Sequence, residues 1–242
     1  ELFVILEQVD STNNYAMQQV HSGKAREGDA WFAIEQTKGK GRRDKHWIAK
    51  KGENIILSVI VNTLFLRIYE QFHLSAAASL ACYDLFKKYD SINTKIKWPN
   101  DLFWNDRKAG GILIQNVIKG DTWQWAVVGM GININQTSFP FFEKNEPISL
   151  KQITGENFDP VKLGKELHHN LMNRLNQLKT ELFKNMLDEY NTVLYKRKEK
   201  VKLKMQNIIF ETTITGVSAN GQLLTIDSME HGFNFDEIEW LL

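Results

Sequence analysis

Two short apolar runs, Trp31-Phe32-Ala33-Ile34 and Ile55-Ile56-Leu57-Ser58-Val59-Ile60-Val61, constrain the fold more than any other part of the sequence. Both are compact and rich in β-branched or aromatic residues, so each reads as a buried strand. Twenty residues without apolar periodicity separate them, far more than a hairpin turn needs, and connections of that length are usually functional or disordered. Inside the connection lies Gly39-Lys40-Gly41-Arg42-Arg43-Asp44-Lys45-His46-Trp47. Two glycines let the backbone approach an anion closely, and four cationic side chains supply charge that an isolated turn does not require. A phosphate-bearing ligand is the natural candidate; a solvated basic loop is the plainer alternative.

A second cluster uses the same chemical vocabulary. Lys97-Trp98-Pro99-Asn100-Asp101 places Lys97 and Asp101 at a strand end, because Pro99 fixes a backbone dihedral and Asn100-Asp101 begins a turn. Asp106-Arg107-Lys108-Ala109-Gly110-Gly111 follows, with Lys108 just ahead of two glycines where a substrate can lie against the backbone. A lysine so placed can balance charge on a carboxylate and a phosphate together. Third, Gly129-Met130-Gly131-Ile132-Asn133 reads as a glycine-rich strand end whose amides can meet a polar ligand edge. The pair Gly39-x-Gly41 is not a dinucleotide fingerprint, since Asp44 stands at the sixth position and no helix pattern follows. A loop that orders over a nucleotide, with Trp47 as an apolar surface, fits better.

Around these clusters the pattern mixes strands and helices. A strand at residues 2–6 precedes a helix carrying Tyr15, Ala16 and Val20, capped near Asp10-Ser11-Thr12-Asn13. Helical spacing covers residues 71–89, strand-like pieces follow at 94–98, 102–105, 112–118 and 123–129, and helices at 149–154 and from 160 onward lead to a change of period near residue 196. Beyond it short alternating strands at 201–205, 210–217, 222–226 and 233–240 suit a small barrel. The division predicted is a main domain at residues 1–195 and a barrel at 196–242.

Charge and composition exclude several classes. A net charge of +1 and a pI near 8.0 give no global field for nucleic acid or membrane, yet residues 38–53 carry seven Lys or Arg against two acids. The single cysteine, Cys82, permits no intrachain disulfide and sits in an apolar helix as a structural thiol, which fits a reducing compartment. No membrane span or secretory signal is legible, so a cytoplasmic protein is expected. His168-His169 point apart on a helix, so no metal-ligand spacing is read, and no serine occupies a nucleophile-elbow pattern.

On these motifs the chain resembles the biotin protein ligases, or biotin-[acetyl-CoA-carboxylase] ligases, from about residue 9 to its C-terminus. The resemblance implies an α+β fold: a mixed β-sheet with helices, like the catalytic domain of class II aminoacyl-tRNA synthetases, followed by a small SH3-like β-barrel. It implies a monofunctional ligase without the DNA-binding winged helix, hence no DNA partner. Biotin and ATP with Mg2+ would form biotinyl-5′-AMP, and a lysine of a biotin carboxyl carrier domain would then take the biotinyl group. Ser11, Thr12 and Asn13 would bind the ureido end of biotin, with Gln36 nearby. Gly39, Lys40, Gly41 and Arg42 would meet the adenylate. Lys108 would contact the reacting carboxylate and α-phosphate; Gly110 or Gly111, with Gly129, Gly131 and Ile132, would line the biotin pocket; Asn133 and Trp47 would face adenine. Asp101 would assist with magnesium or the incoming amine, making Lys108, Arg42 and Asp101 the catalytic candidates. Two departures stand out: Lys40 where the family commonly has arginine, and Asp44 where it has glycine. A monomer or a sheet-edge homodimer is expected. Lipoate protein ligase shares the chemistry, but a dithiolane suits Ser11-Thr12-Asn13 less well than a ureido ring. A non-enzymatic nucleic-acid-binding module is the alternative from another class, and it predicts steeply salt-dependent binding without ATP turnover.

Overall fold

The computed structural model describes residues 2–42, 45–140, 146–180 and 182–241. The run around Ser58 forms β3 (Asn54–Asn62), buried along nearly its whole length, which is why it reads as continuous rather than alternating. Before it come β1 (Phe3–Val9), α1 (Thr12–His21) and β2 (Ala30–Gln36); after it α2 (Gln71–Phe86), β4 (Thr94–Lys97), β5 (Asp101–Trp104), β6 (Arg107–Lys119) and β7 (Thr122–Asn133). These strands form one seven-stranded mixed sheet in the order β1-β2-β3-β7-β6-β5-β4. Only β1 and β2 pair in parallel, as their crossover through α1 demands.

Successive side chains of the central strands go to opposite faces. One set, with Leu57, Val59, Val128 and Met130, meets α2 and α4 (Pro160–Thr180) in the main core. The other set, with Ile60, Val127 and Trp31, meets Ala16 of α1 in a smaller cluster. Helix α2 is apolar or small on nearly every side and correspondingly buried on every side. Cys82 lies within it, fully buried, and burial pushes its thiol up, so it is inert as a nucleophile. Helices α3 (Leu150–Thr154) and α5 (Phe183–Thr192) complete the helical layer.

The remaining strands, β8 (Lys200–Met205), β9 (Ile208–Val217), β10 (Leu223–Ile226), β11 (Glu230–Phe233) and β12 (Glu239–Leu241), form an antiparallel sheet ordered β11-β10-β9-β8-β12. Among the described residues no β11–β12 ladder closes it. Trp98 fastens this sheet to the first by donating Nε1–H to the carbonyl of Gly221 at 2.9 Å.

Of the boundaries that differ from those predicted, three lie at the cavity described below. Lys108 and both following glycines lie inside β6, and Gly129-x-Gly131 lies inside β7, because both long strands continue toward the β3 edge of the cavity. The run at 233–240 is two strands, interrupted where Asn234 N–H bonds Glu237 Oε2 and Asp236 adopts φ +74°.

Helix α4 carries one buried cation, Arg174, which bonds Asp84 on α2 at 2.7 Å and Glu189 on α5 at 2.6 Å. Replacing it by alanine leaves two carboxylates facing each other across a helix junction. Arg174→Ala is expected to lower unfolding free energy by about 3 kcal/mol in urea melts, and a change under about 1 kcal/mol would contradict that role.

Candidate functional site

A cavity of about 480 Å³ opens on the α1 face of the sheet, a size suited to a small organic ligand. Its floor is made by alternate positions of the central strands. Gly129 on β7 stands opposite Ser58 of β3 and Leu113 of β6, and Gly131 stands opposite Ile56 and Gly111. At one end the start of α1 is inserted. Ser11 holds the N-cap position yet makes no side-chain cap bond, and it lines the cavity. Gln36 Oε1 accepts from the Thr12 backbone N–H at 2.8 Å. Asn13 donates to Gln115 Oε1 at 3.0 Å and to the Leu113 carbonyl at 3.3 Å, while its Oδ1 accepts from Ser58 at 2.6 Å. Ser58 Oγ also lies 2.7 Å from Thr12 Oγ1. Gly129 makes this arrangement possible, since a Cβ there would sit 2.1 Å from Asn13 Oδ1.

The other end is cationic. Lys108 Nζ pairs with Asp101 Oδ1 at 2.7 Å. A register shift between Leu102 and Phe103 puts Phe103 opposite Lys108 but Leu102 opposite Gly110, so Ala109 is an extra residue on β6. The bulge re-aims Lys108 onto the cavity face, and Gly111 leaves room for its side chain, the ammonium lying 3.2 Å from where a Cβ would be. Arg42 reaches Asp236 of the second sheet at 3.0 Å and Asn100 Oδ1 at 3.4 Å, and stands 5.6 Å from the Phe235 ring.

The basic segment folds back on itself as a small hairpin, with a bridge between Lys40 and His46 and a bond from Gly41 N–H to the Lys45 carbonyl at 2.7 Å. Trp47 returns across the cavity and lies on Gly131, where a Cβ would meet its Cε2 at 2.5 Å. Lys40 is turned toward α1, donating to Asn14 Oδ1 at 2.6 Å; Asn14 donates in turn to Asp10, and that bond holds the Asp10 carboxyl below its usual range.

Of the residues singled out from sequence, Ser11, Thr12, Asn13, Gln36, Lys40, Gly41, Arg42, Trp47, Asp101, Lys108, Gly111, Gly129, Gly131 and Asn133 line this one cavity. Three do not. Gly110 and Ile132 are paired across β6 and β7 on the opposite face, where a Cβ on Gly110 would strike Ile132 Cδ1 at 2.5 Å. Gly39 sits at the root of the hairpin, where a Cβ would lie 2.2 Å from the Trp47 carbonyl oxygen, so its lack of a side chain serves loop closure. Arg43 and Asp44 lie outside the described residues. Lys97, Asn100, Phe103 and the 235–240 segment were absent from the candidate set yet line the cavity, and Ser58 joins its hydrogen-bond network. Ser58 had a signal: it is the one polar residue in the apolar run at 55–61.

The chain also has relatives. Residues 5–133 match the family described as the biotin/lipoate A/B protein ligase family. The bifunctional ligase/repressor BirA of Escherichia coli K12 is 35% identical over 135 residues, covering 54% of this chain and 40% of that protein. A biotin--[acetyl-CoA-carboxylase] ligase of Paracoccus denitrificans is 33% identical over 168 residues, 64% of this chain and 65% of that protein. The chain spans about half the length of the first curated relatives it matches, 48% of BirA from Bacillus spizizenii being covered. Among solved structures, a biotin protein ligase from Aquifex aeolicus in complex with biotin and ATP superposes with a TM-score of 0.83 at 24% identity, covering 99% of this chain and 98% of that one, which establishes likeness of fold.

Proposed function

Because this chain belongs to the biotin/lipoate A/B protein ligase family, we propose that it is a biotin protein ligase, joining biotin to AMP and then to a lysine of a biotin carboxyl carrier domain. One observation carries this reading: a hydrogen-bonding end built from Ser11, Thr12, Asn13 and Gln36 and a cationic end built from Lys108 and Arg42 share one cavity. A ureido ring has donors and an acceptor to pair with the first end, where the Ser11 hydroxyl makes no capping bond, whereas a dithiolane offers that end no comparable hydrogen bonds. The carboxylate at the far end of a bound biotin then lies toward Lys108.

The first step joins two anions, the biotin carboxylate and the α-phosphate of ATP. Lys108 and Arg42 lower their mutual repulsion, and the fixed cavity walls hold the attacking oxygen and phosphorus in reach. Pyrophosphate leaves. A carrier lysine then attacks the acyl carbon of the mixed anhydride and AMP departs, so no nucleophile of this chain is needed. Mg2+ would come with the nucleotide and neutralise phosphate charge. Among the described residues no cluster of three or more His, Cys, Asp or Glu side chains forms a metal cage, and Asp101, a carboxylate lining the cavity, would share an ion carried in by ATP. No described helix is long and apolar enough to cross a membrane.

Pyrophosphate release with MgATP, measured with biotin, with lipoate and with no acid, tests the reading. Release dependent on biotin is expected. Release only with lipoate would move the chain to the other branch of the family. No release with either, together with steeply salt-dependent nucleic-acid binding, would support the non-enzymatic alternative.

A further inference from the structure

Lys97 is a mostly buried ammonium for which the described residues supply no carboxylate partner. It ends β4 and lines the cavity, and among the described residues no carboxylate oxygen lies within the 4.0 Å that defines an ion pair. Asp101, the acid whose charge acts on it, is already engaged by Lys108 at 2.7 Å. What surrounds Lys97 instead is aromatic: the Phe103 ring at 5.1 Å and the Trp240 ring at 5.2 Å. Two ring faces hold a cation in place while leaving its hydrogen-bond donors unused, which is the state of a group waiting for an anion. Phe103 comes from the same sheet as Lys97, but Trp240 comes from β12 of the second sheet.

We propose that Trp240 is a positioning residue of the cavity, and that it holds Lys97 as a further oxyanion contact, apart from Lys108, for the polyphosphate of the nucleotide. The proposal rests on the functional reading in one respect, that the cavity takes a polyphosphate. Burial lowers the Lys97 ammonium to about 8, opposed by Asp101 on β5 and reinforced by Lys108 on β6 and Lys45 of the basic segment; Glu239, beside Trp240, lines the same cavity. An arriving oxyanion stabilises the charged form. Affinity is therefore strongest below pH 8 and falls as pH rises through it, and at pH 8 binding draws in about half a proton.

Inorganic pyrophosphate without biotin is the probe, followed by calorimetry in buffers of different ionisation heat. Wild type is expected to take up more protons on binding than Lys97→Met. Trp240→Leu is expected to weaken binding roughly fivefold and to lose the extra uptake, because a hydrated Lys97 stays charged throughout; Trp240→Phe, which keeps a ring face, restores both. In the Lys97→Met background Trp240→Leu should add nothing. Equal affinity and proton uptake in wild type and Trp240→Leu, or full additivity with Lys97→Met, would overturn the proposal. Should Trp240→Leu not fold, Trp240→Met takes its place under the same two criteria. Biotin-dependent pyrophosphate release by wild type, run in parallel, separates the readings: turnover without the proton coupling sinks this proposal alone, and the coupling without turnover sinks only the choice of vitamin.

Discussion

Lys108→Met is expected to reduce biotin-dependent pyrophosphate release by roughly 10³-fold while leaving the fold intact, because an ammonium aimed at developing charge in a walled cavity is worth far more than the same group in water. The side chain is about one-third exposed and its pair with Asp101 is partly open to solvent, so the loss to stability should be within about 1 kcal/mol. The geometry explains why no other cation replaces it. Ala109 bulges out of the β5–β6 ladder, turning Lys108 onto the cavity face, and Gly111 leaves the gap through which the ammonium reaches Asp101. Arginine carries a wider, planar head that does not reproduce the compact ammonium held 2.7 Å from Asp101, so Lys108→Arg should recover little. Release at the wild-type rate in Lys108→Met, with an unchanged melting curve, would remove Lys108 from the chemistry.

Local chemistry made much of this site readable in the sequence, and through-space geometry hid the rest. The strands at 31–34 and 55–61 were legible because a strand covered on both faces is apolar at nearly every position, and α2 was legible because its apolar and small residues recur at helical spacing. Arg42, Lys108 and the polar start of α1 were legible because unusual residue types cluster there. That Gly110, the alternative to Gly111, and Ile132 face away from the cavity was hidden for a different reason. Neighbouring strand positions face opposite sides, so Gly110 beside Gly111 and Ile132 beside Gly131 turn away from the cavity, and which member of each pair faces it leaves no mark in composition. Gly39 shows the same limit, since a glycine needed for backbone approach to an anion and one needed for backbone approach to Trp47 look alike. The contribution of 235–240 required knowing that the second sheet folds against the first, through contacts such as Trp98 to Gly221, which no pattern within either segment specifies.

Gly129→Ala should disable the polar end of the cavity as thoroughly as Lys108→Met disables the cationic end. Its added methyl would stand 2.1 Å from Asn13 Oδ1, 2.9 Å from Cγ and 3.1 Å from Nδ2, so the whole amide has to leave. Asn13 is 4% exposed and spends both donors and its acceptor on Gln115, Leu113 and Ser58; displacing it strands those partners in a dry site at a cost of about 2 kcal/mol. The expected result is a rise of roughly 10²-fold in KM for biotin, with KM for ATP nearly unchanged, because the nucleotide end lies toward Lys108 and Arg42. A second substitution divides the steric effect from the binding effect. Asn13→Ala placed beside Gly129→Ala removes the collision, so melting should recover in part, yet the amide that orders Ser58 and Gln115 at the ring end of the cavity is still missing and KM for biotin should stay high. Recovery of both in the double variant would mean that Asn13 only fills space, and the assignment of this end of the cavity to the vitamin ring would then lose its footing.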